Sequence, residues 1–209
     1  MPDIVLMAAG GHGRVVLEAL QSAGARVAGI VDPGLPAGAL VLGVPVLGGD
    51  EWLDRCASAN VRLVNGVGLG SGRAPRQRLF EAWTSRGFEF VSVRHPSAVV
   101  SPSASLDLGS QVMAGAVVQG GGRIGRNAVV NTRASVDHDC ILHDHAFLAP
   151  GVVLCGEVSI GEGALIGAGA VVLPRVTVGK GSTVAAGAIV RSDVAESALW
   201  KHEPAPQGG

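Results

Sequence analysis

Hydrophobic positions follow two different patterns along the chain, and the change falls near residue 95. Upstream, apolar runs of strand type (DIVLMAA, RVAGIVD, VRLVNGV, FEFVSV) alternate with segments of helical spacing (GRVVLEALQSAG, PRQRLFEAWTSRG). This alternation predicts a small parallel sheet with crossover helices, a βαβαβ domain over residues 1–95. The buried face expected for the first helix contains Val15, Leu17, Ala19 and Leu20.

From Val100 onward the apolar residues recur every six positions. Residues 100–189 divide into fifteen hexads, each of which begins with Val, Leu or Ile and has a small residue or Val at its fifth position. A strict period of six is the signature of a hexapeptide parallel β-helix, in which the first residue points into the coil and the fifth lets the chain turn a corner. We therefore predict a β-helix over residues 96–195 and a C-terminal tail over residues 196–209.

Glycines, a histidine and an acidic residue follow the predicted strands of the first domain. Ligands of a parallel sheet bind at the carboxyl ends of its strands, and these ends carry Gly10, Gly11 and His12, then Asp32, then Gly68 and Gly70. AAGGHG alone is short of the full dinucleotide fingerprint and also fits an ordinary strand-to-helix turn. Between a strand and a helix, it predicts a Rossmann-like nucleotide-sugar site, because helix N-terminal amides suit a diphosphate and Asp32 can accept hydrogen bonds from a base or ribose.

Composition and charge exclude several classes of function. A formal net charge of -1 gives no indication of a nucleic-acid partner. The three cysteines, Cys56, Cys140 and Cys155, lack metal-site spacing and indicate free thiols in a reducing cytoplasm. The N-terminus lacks signal-peptide features, and no apolar run approaches the roughly 18 residues that span a bilayer. We therefore expect a cytoplasmic protein that is not embedded in a membrane.

One segment, ASVDHDCILHDHAF (residues 134–147), holds three of the six histidines. The hexads IGEGALIGAGAV resemble those of left-handed β-helix acyltransferases, whose triangular coils take three hexads each, so that residues 18 apart stack. His138 would then lie between Gly120 and Gly156, beside a strip of bare backbone that suits a thin ligand such as a pantetheine arm. The aspartates on either side of His138 can orient its imidazole and raise its basicity, so we predict that His138 is a general base.

The other two histidines of this segment, His143 and His145, alternate with Asp144 as metal ligands sometimes do. Metal ligands must converge, however, and no convincing third ligand accompanies them. We therefore expect no metal site and place both histidines on a solvated rim. A zinc enzyme of the γ-class carbonic anhydrase type is disfavoured, because His138 and these two histidines are too close together in the chain.

Three motifs together carry a more specific resemblance: GGHGRVV opens the α/β domain, HPSAVVSPSA leads into the hexads, and VNTRASVDHDC contains the histidine. To about residue 195 the chain resembles the bacterial sugar acyltransferases of the sialic-acid O-acetyltransferase and bacillosamine/perosamine N-acetyltransferase family. The resemblance implies a homotrimer with active sites between adjacent subunits and acetyl-CoA as acyl donor. It also implies that the acceptor is the C4 amine of a UDP- or GDP-linked 4-amino-4,6-dideoxy sugar.

The resemblance implies roles for four residues of a catalytic site. His138 matches the base, and Asp139 matches the carboxylate that supports it. Asn131 matches a polar residue of the active-site wall. Gly156 matches the position whose backbone N–H faces the thioester oxygen, and the stacking of residues 18 apart selects the same glycine.

The resemblance also implies binding positions for both substrates. Gly11 and His12 match the substrate loop, and Asp32 matches the acidic residue near the nucleotide base. Ala168 and Ala186 match coil positions whose backbone meets the CoA arm.

Two positions depart from the family pattern, both on the acetyl-CoA side. Where the family usually has a second histidine that contacts acetyl-CoA, this chain has Phe147, with His145 two residues earlier. The closing GNPA-like segment of the family is reduced here to Pro204 and Ala205. We therefore expect a changed affinity or identity of the acyl donor rather than a changed base chemistry.

Two alternatives remain open at this point. The acceptor could be a hydroxyl, as in O-acetylation of sialic acid or a related sugar. Such a reaction would depend more strongly on His138, because a hydroxyl is harder to deprotonate than a neutral amine. A non-catalytic β-helix scaffold, supported only by the two departures, would not bind CoA at all.

Overall fold

The computed structural model describes residues 3–69, 72 and 74–201, and the first part of the chain is an α/β domain built on one sheet. Its elements are β1 (Asp3–Met7), α1 (Gly11–Ser22), β2 (Val27–Val31), β3 (Leu40–Val41), β4 (Val44–Gly48), α2 (Asp50–Leu53), β5 (Val61–Asn65), α3 (Ala74–Ser85) and β6 (Glu89–Phe90). The sheet order is β3-β4-β2-β1-β5-β6, and only the β3–β4 pair is antiparallel. Because β1, β2 and β5 are adjacent and parallel, the loops that follow them meet at one edge of the sheet.

The helix predicted after β1 is present and packs on this sheet. α1 buries Val16, Leu17, Ala19 and Leu20. Val15, predicted on the buried face, is instead 40% exposed, so this part of the prediction is wrong. Residues three or four positions apart share one face of a helix. Val16 lies three positions before Ala19 and four before Leu20, so Val16, and not Val15, is on the buried face.

The second part of the chain is a prism of three parallel sheets made from strands of two residues each. In chain order the strands are β7 (Val93–Arg94), β8 (Val99–Val100), β9 (Ser105–Leu106), β10 (Gln111–Val112), β11 (Val117–Val118), β12 (Arg123–Ile124), β13 (Val129–Val130), β14 (Ser135–Val136), β15 (Ile141–Leu142), β16 (Phe147–Leu148), β17 (Val153–Leu154), β18 (Ser159–Ile160), β19 (Leu165–Ile166), β20 (Val171–Val172), β21 (Thr177–Val178), β22 (Thr183–Val184), β23 (Ile189–Val190) and β24 (Leu199–Trp200). The first prism sheet has the order β24-β22-β19-β16-β13-β10-β7, the second β23-β20-β17-β14-β11-β8 and the third β21-β18-β15-β12-β9.

Strand pairing confirms the hexad register and the stacking of residues one coil apart. In the second prism sheet, Val117 pairs with Ser135, and Ser135 pairs with Val153. The first residue of every hexad from Val112 to Val184 is buried inside the prism. Small fifth-position residues are buried at the corners because the chain turns there against the neighbouring coils.

The segment FEFVSV is divided between the two parts of the molecule. β6 closes the α/β sheet, whereas β7 pairs with β10 as the first strand of the prism. Val93 and Met113 share a hydrophobic core with Val16 of α1. The α/β domain therefore covers the outer face of the first prism sheet, where Phe147 is also buried.

The other two outer faces of the prism differ in chemistry. The second sheet presents apolar side chains, and Val99, Val153 and Ile189 are exposed there. The third sheet presents exposed polar side chains such as Arg123 and Thr177. The second prism sheet is thus an apolar face that the α/β domain leaves open.

Candidate active site

An open cleft of about 560 Å³ lies at the carboxyl edge of the α/β sheet. It is lined by the loops that follow β1, β2 and β5, and the lining includes Gly11, His12, Asp32 and Gly68. The structure therefore brings the four predicted substrate residues to one place. Gly70, which was predicted beside them, lies outside the described residues.

The turn from β1 into α1 is tight because glycines there approach the backbone. A Cβ on Gly13 or Gly66 would overlap with the carbonyl oxygen of Ala8. A Cβ on Gly10 or Gly11 would have no described atom within 4 Å, so these two glycines border open space. In the described part of the chain no side chain caps α1. The first N–H groups of the helix are therefore available to an anion such as a diphosphate.

Asp32 directly follows β2 and holds two backbone amides of the cleft. Its Oδ2 accepts a hydrogen bond from the Ala9 N–H at 2.8 Å, and its Oδ1 accepts one from the Gly34 N–H at 2.8 Å. Each oxygen of an ionised carboxylate can accept more than one hydrogen bond. Asp32 therefore shapes the cleft and keeps acceptor capacity for a ligand.

His12 is held in one tautomer. Gln111 Nε2 donates to the carbonyl oxygen of Asn65 at 2.7 Å, so Gln111 Oε1 is the atom 2.9 Å from His12 Nε2. His12 must therefore carry its proton on Nε2, and Nδ1 is left as an acceptor. Burial, followed by the positive charge of Arg76, lowers the pKa of His12 to about 4. The ring is consequently neutral near pH 7.

His138 and Asp139 form a hydrogen-bonded pair at a corner between the second and third prism sheets. His138 Nδ1 lies 3.0 Å from Asp139 Oδ2, and the His138 backbone N–H donates to Asp137 Oδ1 at 2.8 Å. The carboxylate can only accept, so Nδ1 carries the proton and Nε2 is free to act as a base. The hydrogen bond to Asp139 raises the pKa of His138 above its usual value.

Gly156 stacks against His138 one coil later. A Cβ at this position would overlap with the imidazole, whose Nε2 is the nearest atom. Within residues 3–69, 72 and 74–201 no hydrogen bond uses the Gly156 N–H, which leaves a donor beside the free base. A Cβ on Gly120, one coil before, would instead lie 3.3 Å from Ser103 Oγ. The imidazole therefore lies over Gly156 and not over Gly120.

The remaining predicted residues of the β-helix lie at a different corner of the prism. Asn131, Ala168 and Ala186 belong to turns between the first and second sheets, and both alanines are exposed. Asn131 Oδ1 accepts a hydrogen bond from the Thr132 N–H at 2.8 Å. In one chain, these residues and the His138 pair therefore occupy opposite edges of the second prism sheet.

Phe147 and His145 lie between the α/β domain and the prism. Phe147 is 4% exposed, and its ring centroid is 5.9 Å from that of His12. The His145 ring is 5.6 Å from Phe80 of α3, and its side chain is only 10% exposed. The prediction of a solvated rim is therefore wrong for His145, because α3 covers this corner, and burial lowers its pKa. His143 is exposed.

Sequence reasoning missed a buried polar cluster between the two domains. Asn65, Arg76, Gln111 and Asn127 are each at most 3% exposed. They come from β5, α3, β10 and a prism corner, and the Asn65–Asn127 contact joins positions 62 apart. No local pattern marks these residues, because their contacts depend on how the two domains meet.

The described part of the chain offers neither a metal site nor a membrane-spanning helix. No group of three or more His, Cys, Asp or Glu side chains there is placed to hold a metal ion. None of its helices is long and apolar enough to cross a membrane. Pro204 and Ala205, which represent the altered closing segment, lie outside the described residues.

Comparison with known proteins adds independent information. Residues 3–82 match the model described as the PglD N-terminal domain, and residues 157–192 match the bacterial transferase hexapeptide (six repeats). A mutant perosamine N-acetyltransferase from Caulobacter crescentus, in complex with CoA and GDP-perosamine, is 41% identical, with a TM-score of 0.90 and coverage of 100% of this chain and 98% of that chain. The acetyltransferase domain of PglB from Neisseria gonorrhoeae, in complex with acetyl coenzyme A, is 36% identical, with a TM-score of 0.88 and 97% coverage of both chains. A curated GDP-perosamine N-acetyltransferase from Escherichia coli is 31% identical over 91 residues, which are 44% of this chain and 41% of that protein.

These relatives and the prism of three sheets define the class of protein, which is a hexapeptide acyltransferase. Its fold is a Rossmann-like domain followed by a left-handed parallel β-helix, and the fold prediction is therefore confirmed. Within that class, the chain belongs to the bacterial sugar acyltransferase family of the perosamine and bacillosamine N-acetyltransferase type. The resemblance carried by its motifs is thereby confirmed.

Proposed function

We propose that the chain transfers an acetyl group from acetyl-CoA to the C4 amine of a UDP- or GDP-linked 4-amino-4,6-dideoxy sugar. The observation that carries this proposal is the free Nε2 of His138, on a ring held by Asp139, beside the N–H of Gly156. A general base next to an oxyanion donor is the arrangement that acyl transfer requires. Relatives whose names or bound ligands include CoA and GDP-perosamine support the same substrates.

The proposed reaction is a direct transfer. The sugar amine attacks the thioester carbonyl carbon while His138 Nε2 takes a proton from the nitrogen. Asp139 stabilises the imidazolium, and the Gly156 N–H donates a hydrogen bond to the oxyanion of the tetrahedral intermediate. When the carbon–sulfur bond breaks, the imidazolium gives its proton to the CoA thiolate. The products are an amide and free CoA, without a covalent acyl-enzyme.

The acceptor would bind with its nucleotide in the cleft of residues 1–95, while residues 96–195 supply the transfer chemistry. The free N–H groups of α1 suit the diphosphate, and Asp32 can accept hydrogen bonds from the base or ribose. Gly11 and Gly68 keep the cleft open. The unprotonated Nδ1 of His12 can accept a hydrogen bond from a sugar amine or hydroxyl, and a neutral ring does not attract the diphosphate by charge.

A homotrimer with active sites between subunits would bring together residues that one chain keeps apart. The His138 corner and the corner of Asn131, Ala168 and Ala186 are opposite edges of the second prism sheet. A neighbouring copy packed beside that sheet could place one corner against the other, and the open apolar face favours such a contact. The interface test is Ile189→Asp, with Thr177→Asp on the polar third sheet as control. We expect light scattering to show a smaller mass only for Ile189→Asp, and an unchanged mass would contradict this interface.

We also propose a cytoplasmic location. Cys56, Cys140 and Cys155 are all free thiols, as in a reducing compartment. Fractionation of cells expressing the chain with an epitope tag checks this location, and recovery outside the cytoplasmic fraction would contradict it.

The activity is tested by thiol release from acetyl-CoA with a panel of UDP- and GDP-linked 4-amino-4,6-dideoxy sugars and with sialic acid. We expect release with an amino sugar, and loss of release in His138→Ala. Release with sialic acid alone would replace the proposal by O-acetylation. Absence of release together with absence of CoA binding in calorimetry would favour a scaffold.

A further inference from the structure

The buried polar cluster between the domains is centred on one arginine. The guanidinium of Arg76 donates to three backbone carbonyls, those of Asn65 at 3.1 Å, Val67 at 2.8 Å and Asn127 at 3.4 Å. Asn65 is the last residue of β5, and Val67 belongs to the loop that follows, which lines the nucleotide-sugar cleft with Gly66 and Gly68. A single side chain therefore ties the cleft loop to a corner of the prism.

The amides around Arg76 fix the direction of every hydrogen bond in the cluster. Asn65 Oδ1 accepts from the Val67 N–H at 3.0 Å, so its Nδ2 is the donor to Asn127 Oδ1 at 3.1 Å and to the Arg76 carbonyl at 3.0 Å. The Asn65 carbonyl accepts from both Arg76 and Gln111, and Gln111 in turn accepts from His12. The position of the His12 ring is thus set by a chain of bonds that begins at the guanidinium.

The charge of Arg76 has no partner of opposite sign in the described part of the chain. Arg76 is fully enclosed, no described carboxylate forms an ion pair with it, and its Nε is buried without a described hydrogen-bond acceptor. Burial alone lowers its pKa to about 9, so it remains charged at neutral pH. An uncompensated buried cation is costly, and an apolar side chain of similar volume would often stabilise a fold more. Stability alone therefore does not explain this arginine.

We propose that Arg76 is a positioning residue for the acceptor substrate: it holds the loop of residues 66–69 after β5 and the His12 side chain in the geometry that binds the nucleoside diphosphate. The positive charge of Arg76 lies behind the cleft, in a buried region where the effective dielectric constant is low. It can therefore attract a bound diphosphate electrostatically without direct contact. This proposal rests on the proposed function, because the cleft must take a nucleotide sugar. It assigns Arg76 no direct contact with substrate.

The test compares Arg76→Met with Arg78→Met. Both residues are on α3, but Arg78 is exposed, so Arg78→Met is a matched control for the substitution itself. Binding of UDP, GDP and acetyl-CoA is measured by calorimetry, together with the thermal unfolding midpoint. For Arg76→Met we expect binding of the nucleotide that the wild type prefers to weaken about 10-fold or more, with acetyl-CoA binding unchanged. Arg78→Met should bind both as the wild type does.

A second readout separates positioning from simple destabilisation. In steady-state thiol release we expect Arg76→Met to raise the KM for the sugar with little change in kcat or in the KM for acetyl-CoA. Nitrogen NMR of the His12 ring should show loss of the single Nε2–H tautomer. If Arg76→Met does not fold, Gln111→Met, which removes the link to His12, is measured in its place and should weaken nucleotide binding.

Three outcomes would overturn the proposal. The first is a folded Arg76→Met, or Gln111→Met in its place, that binds the nucleotide as tightly as the wild type. The second is a parallel loss of nucleotide and acetyl-CoA binding, which would indicate a structural role only. The third is a wild-type protein that binds neither UDP nor GDP, which would also refute the proposed acceptor. In the first two outcomes the wild type still binds a nucleotide, so they leave the proposed acceptor intact.

Discussion

The two domains each place a histidine beside a candidate substrate site, and the surroundings give the two rings opposite properties. His12 is enclosed between the α/β domain and the prism, next to a buried arginine, and its pKa falls to about 4. His138 is exposed at a prism corner next to a carboxylate, and its pKa is raised. His12 keeps its proton on Nε2 and cannot readily take another, whereas His138 keeps Nδ1 protonated and offers Nε2.

The residue type alone therefore does not define the chemical role of a histidine. Burial disfavours the charged form of the ring, and a hydrogen-bonded carboxylate favours it. A ring that must accept a proton during acyl transfer needs a neighbouring carboxylate. A ring that must accept a hydrogen bond while staying neutral needs burial.

The largest effect is expected from His138→Gln. Loss of the general base should lower kcat/KM by about 100- to 10,000-fold. The same substitution at His12 should cost about 10-fold, chiefly through the sugar KM, because only a hydrogen bond is lost. Steady-state thiol release measures both, and equal losses of kcat in the two variants would remove the distinction between the rings.

Next in size is the effect expected from Gly156→Ala. The new Cβ would overlap with the His138 imidazole, and the exposed ring can rotate away without unfolding the chain. A misplaced base should lower kcat by about 100-fold while the unfolding midpoint stays unchanged. Gly120→Ala, in the same column one coil earlier, is the control and should have little effect. A large activity loss in Gly120→Ala would show that any side chain added at this corner of the prism lowers activity, whether or not it displaces the His138 ring.

A smaller effect is expected from Asp139→Asn, which replaces the carboxylate that raises the pKa of His138 by a neutral amide, a weaker hydrogen-bond acceptor. The base is active when unprotonated, so the acid limb of the kcat/KM profile follows this pKa. In the variant the limb should move to lower pH, and the plateau should fall about 10-fold. Asp137→Asn should shift the limb less, because the charge of Asp137 is a lesser cause of the raised pKa. A limb that stays in place would exclude His138 as the titrating base.

The smallest effect concerns His12 and acid stability. The pKa of His12 falls from 6.5 to about 4 in the folded chain, so between these values the unfolded chain binds more protons. His12 therefore contributes a loss of stability as pH falls from 6.5 toward 4. We expect the free energy of unfolding, measured with urea, to depend less on pH between 6.5 and 4 in His12→Gln than in the wild type. An NMR titration should show no change of the His12 ring between pH 5 and 8, and a titration there would contradict its buried state.

The sequence predicted the contacts between successive coils of the repeat, but it did not predict the contacts between the α/β domain and the prism. The stacking of Gly156 on His138 could be obtained by counting 18 residues, because each coil pairs only with its neighbours. The burial of His145 could not be obtained in this way, since it depends on Phe80 of α3, which comes 65 residues earlier. The Arg76 cluster was missed for the same reason. FEFVSV has the pattern of a single strand, because no local signal marks where the chain passes from the α/β sheet to the prism.

The fixed length of a coil has a consequence for insertions and deletions. One residue inserted between His138 and Gly156 would bring Cys155, with its side chain, to the place beside the imidazole. A whole coil of 18 residues added after Val190 would leave the His138–Gly156 pair intact and lengthen the prism. Natural chains of this kind should therefore vary in prism length by complete coils, or by loops that bulge outward at corners, and otherwise lose the alignment of base and oxyanion donor.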